Sequence, residues 1–422
     1  MANSLPKYET QTLSNGLQVF VIPMNRGGGV ITTDVFYKVG SGDEIMGKSG
    51  IAHMLEHLNF KSTKNLKAGE FDETVKGMGG VTNAATGFDT THYFIKSSSK
   101  NLSKTFELFS ELMANLSLKD EEFQPERDVV MEERKWRTDN SPMGYLYFNL
   151  FNNAFIYHSY HWTPIGFKDD IKNWTIEDIK AFHNIYYQPS NAIIVVAGDV
   201  EPKVVFNEAK KYFGKIKKDL PIPKKHQVEP EQDGARRVYI TKESETQMVA
   251  IAYKIPAFDH PDQTALSAIS ALLSGGKSGR LYEILVNQKK LVNQVYAYNM
   301  DSRDPNLFMF LAICNPDVKA EDAEKEILAV IEDLKKNNVS EDELKKVKTN
   351  TKSDFIFGLE SSSGIASLFG SFLSRGSLEP LLNYEEAINA LKADKIREVA
   401  NRYFTRKHST TVILKKEDSD ER

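Results

Sequence analysis

The chain has 422 residues, more than a single hydrophobic core usually organises, so we expect two or more domains. Apolar residues make up 41% of the sequence and charged residues 27%, which excludes a disordered or fibrous protein. The 54 basic side chains nearly balance the 58 acidic ones, giving a formal net charge of −4 without long blocks of one sign, so nucleic acid is not an expected partner.

Cysteine content and hydropathy narrow the class of protein further. The single cysteine, Cys314, excludes an intramolecular disulfide and a multi-thiolate metal site, and its apolar neighbours predict a buried side chain. No apolar run reaches the roughly 18 residues that span a bilayer, so we expect no membrane span. The first ten residues lack the pattern of a secretory signal, which makes a cytoplasmic location the default expectation. A periplasmic location stays open, because a chain whose signal had been cleaved would look the same.

The first half of the chain is expected to open with strands and to continue with helices. The pair Asn15-Gly16 predicts a turn that leads into strands at residues 19–22 and 30–39. Residues 50–60 suit a helix, and residues 191–197 have the composition of a buried strand. Apolar side chains at helical spacing predict a further buried helix: Leu102, Phe106, Phe109, Met113 and Leu116.

The second half weakly repeats the first. Ile179, Phe182 and Tyr186, followed by an apolar strand, recur with the same spacing as Ile396, Val399 and Tyr403. The intervening segment is rich in Lys, Pro and acidic residues, which predicts a linker at residues 217–236. Ser340 and Glu343 have the spacing of a helix capping box. We therefore expect two α+β domains, an N-terminal metal-binding catalytic domain at residues 1–216 and a homologous C-terminal domain without the metal motif at residues 237–422.

The strongest chemical signal is His53-x-x-Glu56-His57 in the predicted helix. Residues four apart on a helix lie about 40° apart around its axis, so both imidazoles can bind one ion, and Glu56 points close to the same face. Two imidazoles and a carboxylate hold zinc with a position open for water, whose proton a nearby glutamate can accept. The alternative interpretation is a pair of surface histidines on a helix.

A third ligand is expected from a carboxylate elsewhere in the chain. The helix-like segment at residues 126–136 offers Glu126, Glu132 and Glu133. Glu126 and Glu133 are seven residues apart and therefore share one helix face. If Glu133 binds the metal, Glu126 lies two turns away, where it could accept a hydrogen bond from a ligating imidazole. The alternative is a solvated acidic helix.

These motifs resemble those of the pitrilysin-type metallopeptidases, which include insulysin and the mitochondrial processing peptidases. The stretch from Gly50 to His57, followed by Phe60-Lys61-Ser62-Thr63, resembles the metal-helix signature of that family. Glu133 and the preceding Glu-Arg-Asp-Val-Val resemble its third-ligand segment. The resemblance implies one Zn²⁺ per chain held by His53, His57 and Glu133, with Glu56 as the general base and Glu126 supporting a ligand.

The resemblance extends over nearly the whole chain. Residues 79–93 resemble the segment in which an edge strand pairs with the substrate backbone, which makes Asn83, Ala84 and Thr86 the predicted substrate-binding residues. Gly198-Asp199-Val200 and residues 273–281 resemble the end of the first domain and a second-domain signature. The implied fold is α+β, with two homologous domains, each a mainly antiparallel sheet with helices packed on one face, facing each other across a cleft.

One departure from the family bears on the partner. Its catalytic chains commonly carry an Arg and a Tyr at places that align here with Val286 and Asn293. In some bacterial heterodimers of the family, one chain holds the metal motif and the other supplies the Arg and Tyr. We therefore predict that this chain is the metal-holding subunit of a dimer with a homologous partner, or with a copy of itself. A shifted register, in which Arg280, Tyr282 or Tyr296 substitutes, stays open.

The sequence therefore predicts a zinc-dependent endopeptidase that hydrolyses extended peptides or unfolded segments. A non-catalytic scaffold or core subunit of the same fold is the main alternative, because a fold alone does not prove activity. Scaffold members typically lose a metal ligand or the general base, whereas all four residues are present here. A non-haem iron site also uses two His and a carboxylate, but the glutamate beside the second His favours hydrolysis.

Overall fold

The structure, a computed structural model, describes residues 4–24, 26–217, 220–224 and 227–417. It forms two compact units. The first comprises Met1–Glu133, Trp162–His226 and Phe355–Leu382, and the second comprises Arg134–His161, Gln227–Asp354 and Asn383–Arg422. Each unit thus includes a segment from the opposite half of the sequence. Residues 218, 219, 225 and 226 of the predicted linker lie outside the described residues, and the sequence-based boundaries 1–216, 217–236 and 237–422 stay a prediction.

The strands form one sheet in each unit. The six strands of the first sheet follow the order β1-β2-β6-β3-β5-β4, and every neighbouring pair is antiparallel except β2 with β6. Their bounds are β1 (Glu9–Thr12), β2 (Gln18–Pro23), β3 (Val30–Tyr37), β4 (Val81–Thr86), β5 (Thr91–Ser98) and β6 (Ala192–Gly198). The turn before β2 is as predicted, because Gly16 takes a positive φ of 86° that favours glycine.

The second sheet repeats this topology without a counterpart of β1. Its order is β7-β11-β8-β10-β9, with β7 and β11 parallel and the other pairs antiparallel. The bounds are β7 (Arg236–Lys242), β8 (Met248–Ile255), β9 (Val292–Asn299), β10 (Asn306–Cys314) and β11 (Ser409–Lys416). The duplication inferred from the sequence is therefore visible in the order and direction of the strands.

Helices follow or separate these strands in both units. In chain order they are α1 (Ile51–Asn59), α2 (Glu70–Gly77), α3 (Leu102–Asn115), α4 (Asp120–Arg134), α5 (Pro142–Ala154), α6 (Lys168–Asn173), α7 (Ile176–Tyr186), α8 (Pro202–Phe213), α9 (Gln263–Ser274), α10 (Ala320–Lys336), α11 (Glu341–Gly358), α12 (Ser362–Arg375), α13 (Glu379–Leu382), α14 (Tyr384–Ala390) and α15 (Ala393–Tyr403). The segment α7-β6 corresponds to α15-β11, which is the repeat seen in the sequence. A capping box at Ser340 and Glu343 opens α11 as predicted.

Helices cover both faces of each sheet, whereas the sequence predicted helices on one face. In the first unit α1, α3 and α8 pack on one face, and α12 packs against β3 and β6 on the other. A β-carbon at Gly370 of α12 would lie 1.9 Å from the ring of Phe36, so only glycine allows this close approach. The reason is that all seven residues of β6 are buried, so both of its faces need an apolar cover.

In the second unit α5 packs in the same way against β8 and β11. Cys314 is buried at the end of β10, as predicted. Among the described residues, no single helix is both long and apolar enough to cross a bilayer, and α11 with α12 satisfies that test only as a pair bent by 108°.

Candidate metal centre

The short helix α1 carries His53, Glu56 and His57. It starts after Gly50, whose positive φ of 85° is left-handed and favours glycine. A β-carbon at Gly50 would also lie 2.7 Å from the carbonyl oxygen of Ile165, so the loop before α6 packs directly against the start of this helix. The position of the motif is therefore fixed at its first turn.

A buried carboxylate caps the same end of α1. Glu44 is only 1% exposed, and its two oxygens accept the backbone N–H groups of Gly50 and Ala52, each at 2.8 Å. The indole N–H of Trp162 donates to the same carboxylate at 2.7 Å. The negative charge also complements the positive end of the helix dipole. Sequence reasoning missed Glu44, although an acidic residue shortly before a helix is a recognisable capping signal.

We expect Glu44→Ala to lower the free energy of unfolding by about 3 kcal/mol, because it leaves three donors at a buried helix end without their acceptor. Urea denaturation followed by circular dichroism, with chelator in every sample, measures the change without a contribution from metal. Glu121→Ala is the control, since that side chain is 77% exposed and its loss should cost under about 0.5 kcal/mol. Equal denaturation curves for the two variants would contradict the capping role.

A chain of buried hydrogen bonds holds the other end of α1. The amide of Asn59 donates to the hydroxyl of Tyr93 at 2.8 Å, and that hydroxyl lies 2.9 Å from the hydroxyl of Tyr187. Tyr187 is hydrogen-bonded in turn to Thr91, which donates to the carbonyl of Val39 at 3.0 Å. Because the chain begins at an amide donor and ends at a carbonyl acceptor, every hydroxyl has one defined orientation.

The structure brings together His53, His57 and Glu133. One ligand atom from each lies within 4.8 Å of the others. The Nε2 atoms of His53 and His57 are 3.6 and 3.3 Å from Oε2 of Glu133, and the three side chains are 12% to 21% exposed. Glu133 lies near the C-terminal end of α4, just before a π-helical turn at Lys135–Asp139. Glu132, the neighbouring candidate, is exposed.

Glu126 and Lys61 support this cluster from the side. Oε1 of Glu126 is 2.8 Å from Nδ1 of His57, and Nζ of Lys61 is 2.5 Å from Oε2 of the same carboxylate. Burial lowers the pKa of His57, but the hydrogen bonds to Glu126 and Glu133 outweigh it and raise the pKa to about 9. The two carboxylates therefore stabilise a positive charge at this place.

This donor set fits a zinc ion. Two imidazole nitrogens and one carboxylate oxygen are ligands that Zn²⁺ takes in hydrolytic sites, with a position left for water. The carboxylate on Nδ1 of His57 fixes the tautomer that leaves Nε2 for the metal. A divalent cation would also supply the positive charge that Glu126 and Glu133 favour. The residues thus match the metal that the sequence motif implies.

Glu56 lies beside the cluster without being part of it. Its carboxylate accepts a hydrogen bond from the hydroxyl of Thr86 at 2.5 Å, which joins α1 to the end of β4. Burial raises the pKa of Glu56, although the Thr86 hydroxyl and the charge of His57 lower it. A raised pKa makes a carboxylate a better proton acceptor, as general base catalysis requires.

The predicted substrate-binding residues lie on β4, which is an edge strand of the first sheet. No described strand pairs with its outer edge, so its backbone is open to another strand. The three side chains have different surroundings: Thr86 contacts Glu56, Ala84 packs on the core beneath α1, and Asn83 is exposed. A peptide on this edge would lie next to Glu56.

The residues that the family resemblance aligns with a catalytic Arg and Tyr belong to the second unit. Val286 is half-buried against the second core and Asn293 is exposed on β9. Of the possible substitutes, Arg280 already forms ion pairs with Glu343 and Asp333, at 2.7 and 3.1 Å. Tyr296 is 48% exposed, and its hydroxyl donates to the side chain of Gln294. Arg280 therefore has a structural role in this unit.

Comparison with known proteins places these features in a family. Residues 20–158 match the family model described as insulinase (peptidase family M16), and residues 173–351 match the model described as peptidase M16 inactive domain. The zinc protease PqqE of Helicobacter pylori is 55% identical over 97% of this chain and 93% of its own length.

Solved structures agree with this assignment. A protease from Helicobacter pylori superimposes with a TM-score of 0.96 at 55% identity, covering 97% of this chain and 100% of that one. A peptidase M16 inactive domain from Pseudomonas fluorescens has a TM-score of 0.89 at 17% identity, covering 98% of each chain, and shows the same fold. The chain therefore belongs to the insulinase family of peptidases, family M16, as its metal-helix motif and duplicated sheets imply.

Proposed function

We propose that this protein is a zinc-dependent endopeptidase that cleaves extended peptides or unfolded segments. The observation that carries the proposal is the convergence of His53, His57 and Glu133, with Glu56 beside them at the open edge of β4. Three ligands with an adjacent carboxylate base are the arrangement that hydrolysis of a peptide bond needs. His53, Glu56 and His57 come from α1, which contacts β4 and β5, and Glu133 comes from α4, whose Phe123 and Val130 belong to the same hydrophobic core.

In the proposed mechanism, Glu56 accepts a proton from the attacking water and later donates it to the leaving amine. When bound, Zn²⁺ polarises the scissile carbonyl and lowers the pKa of that water. Thr86 holds the Glu56 carboxylate at the edge strand, so the proton acceptor faces the place where the substrate backbone would lie. Glu126 holds Nδ1 of His57, so that Nε2 would be left to bind the ion.

The edge strand accounts for the proposed substrate class. An extended peptide that adds to β4 gains backbone hydrogen bonds of the kind that any sequence can make. A folded substrate exposes few unpaired strands, so compact proteins should be poor substrates.

We expect the purified protein to bind about one zinc ion per chain. His53→Ala, His57→Ala and Glu133→Gln should each lower zinc affinity by at least about tenfold, since each removes one of three ligands. Metal analysis after dialysis, followed by competition with a chelating dye, measures stoichiometry and affinity together.

Glu132→Gln is the matched control for this experiment, because it removes the neighbouring carboxylate of α4 from an exposed position. It should retain the zinc affinity of the unmodified chain. Full zinc occupancy in all three ligand variants, or an equal loss in Glu132→Gln, would refute the ligand set.

A non-catalytic subunit is the second candidate function. It is favoured by the match of residues 173–351 to a domain described as inactive. The family resemblance, which aligns Val286 and Asn293 with the Arg and Tyr of catalytic chains, favours it as well. A non-catalytic subunit could also retain zinc, so zinc content alone does not distinguish it from a peptidase. Peptide hydrolysis therefore has to be measured.

A further inference from the structure

An imidazole side chain projects from β5, the strand that pairs with the edge strand β4. His92 of β5 stacks on the ring of Phe36, with the planes 7° apart and the centroids separated by 4.7 Å. Its Nδ1 atom is 3.0 Å from the carboxylate of Asp34, which is buried in β3 and only 2% exposed. Both contacts fix the ring in one orientation.

The fixed ring presents its second nitrogen outward. The side chain of His92 is 22% exposed, and among the described residues no hydrogen bond is made to its Nε2. Burial lowers the pKa of His92, but the hydrogen bond and charge of Asp34, together with the charge of Glu56, outweigh it and raise the pKa. Asp34 accepts a hydrogen bond from Nδ1–H, so Nε2 donates a hydrogen bond when the ring is protonated, and the raised pKa favours that protonated form.

Strand register relates His92 to a substrate on β4. His92 pairs directly with Ala85, whose side chain is an exposed methyl group on the same face. A peptide strand beyond β4 would lie about 4.8 Å from Ala85 and about twice that from the backbone of His92. A long side chain next to Ala85 can therefore reach over the methyl group to Nε2.

Successive side chains of a strand point to opposite faces of the sheet, so the contact with His92 and the general base Glu56 lie on opposite faces. Thr86, which holds Glu56, points to the α1 face, whereas Ala85 and His92 point to the other. On that other face α12 covers β3 and β6, while Asn83 and Ala85 of β4 are exposed. The substrate residue beside Ala85 thus projects away from the carboxylate of Glu56 and towards the imidazole.

We propose that His92, held by Asp34 and Phe36, selects substrates with a glutamate side chain at the position beside Ala85. The inference rests on the proposed peptidase function, because it assumes that a peptide strand adds to β4. It assigns specificity to a residue outside the metal centre. A neutral glutamine of the same length loses the charge-assisted hydrogen bond to Nε2 and should be disfavoured.

The test measures binding and cleavage separately. Fluorescein-labelled decapeptides that differ only by Glu or Gln, scanned along the sequence, are titrated against Glu56→Gln protein and followed by anisotropy. We expect one position at which Glu binds about tenfold more tightly than Gln. His92→Gln in the same background should reduce that ratio to about one.

Two further variants make the result specific. Ala85→Phe covers the imidazole from an exposed position, so the ratio should fall even if His92→Gln fails to fold. Lys96→Gln removes a positive charge from the same strand and face and should keep the tenfold ratio. If the protein that retains His92 binds the Glu and Gln peptides equally at every position, the inference is overturned. It is also overturned if the tenfold preference for Glu persists in both His92→Gln and Ala85→Phe.

Cleavage of the same peptides by the unmodified chain tests the underlying function independently. Selective binding without hydrolysis, with or without a homologous partner, would support His92 as a specificity residue and refute the peptidase proposal. Hydrolysis without any preference between Glu and Gln would support the peptidase proposal and refute the role of His92.

Discussion

Glu56→Gln should reduce the rate of peptide hydrolysis by at least about 10²-fold, because a positioned proton acceptor typically contributes that much. Glutamine has the size of glutamate and can still accept the hydrogen bond of Thr86, so the helix and its contact with β4 should persist. Its amide cannot accept a proton from water at neutral pH. Zinc content should be unchanged, since Glu56 is not one of the three ligands.

The measurement is the turnover of a quenched fluorescent peptide, with zinc content determined on the same sample. Glu73→Gln in α2 is a suitable control, because it makes the same substitution at an exposed helical position. It should retain full turnover. Near-normal hydrolysis by Glu56→Gln with zinc present would show that another group acts as the base.

The isolated chain should hydrolyse peptides weakly, and a homologous partner that supplies an Arg and a Tyr should raise its rate by about 10² to 10³-fold. A single donor to the developing oxyanion typically contributes that factor. Val286 can neither donate a hydrogen bond nor carry charge. Asn293 can donate, but its side chain is shorter than tyrosine and uncharged. Arg280 is already bound to Glu343 and Asp333.

The rate is measured for the purified chain alone and after addition of a homologous chain, with the oligomeric mass determined in the same buffer. The double substitution Val286→Arg with Asn293→Tyr tests the same idea within one chain and should raise its rate. Thermal unfolding of that variant is recorded as well, since Val286 is half-buried and arginine has to turn outward there. Robust turnover by the chain alone, unaffected by any homologue, would contradict an active site whose residues are shared between two chains.

The sequence predicted the elements that depend on local spacing. His53, Glu56 and His57 lie within five residues of one helix, and Glu126 and Glu133 are two turns apart on another, so helical periodicity placed each group on one face. The resemblance to a peptidase family then related the two helices. The turn at Gly16 and the duplicated α7-β6 segment were also predictable, because each is encoded in a short stretch of sequence.

The contacts that were missed join residues far apart in the chain. His92 and Asp34 are 58 residues apart, and Glu44 and Trp162 are separated by 118. The contact between His92 and Asp34 depends on strand register, and the contact between Glu44 and Trp162 depends on loop packing. Neither can be read from a short stretch of sequence. The helices on the second face of each sheet were missed because each comes from the opposite half of the sequence.

The origin of α12 affects how the chain folds during synthesis. The face of β3 and β6 that α12 covers is complete once residue 198 has been made, but its cover begins only at residue 362. At about 5 to 20 residues per second, a ribosome takes on the order of ten seconds or more to make the intervening segment. Until α12 has been synthesised, this face of the first sheet is exposed to solvent. Nascent chains of this protein should accordingly depend on chaperones, and truncation before α12 should cause aggregation.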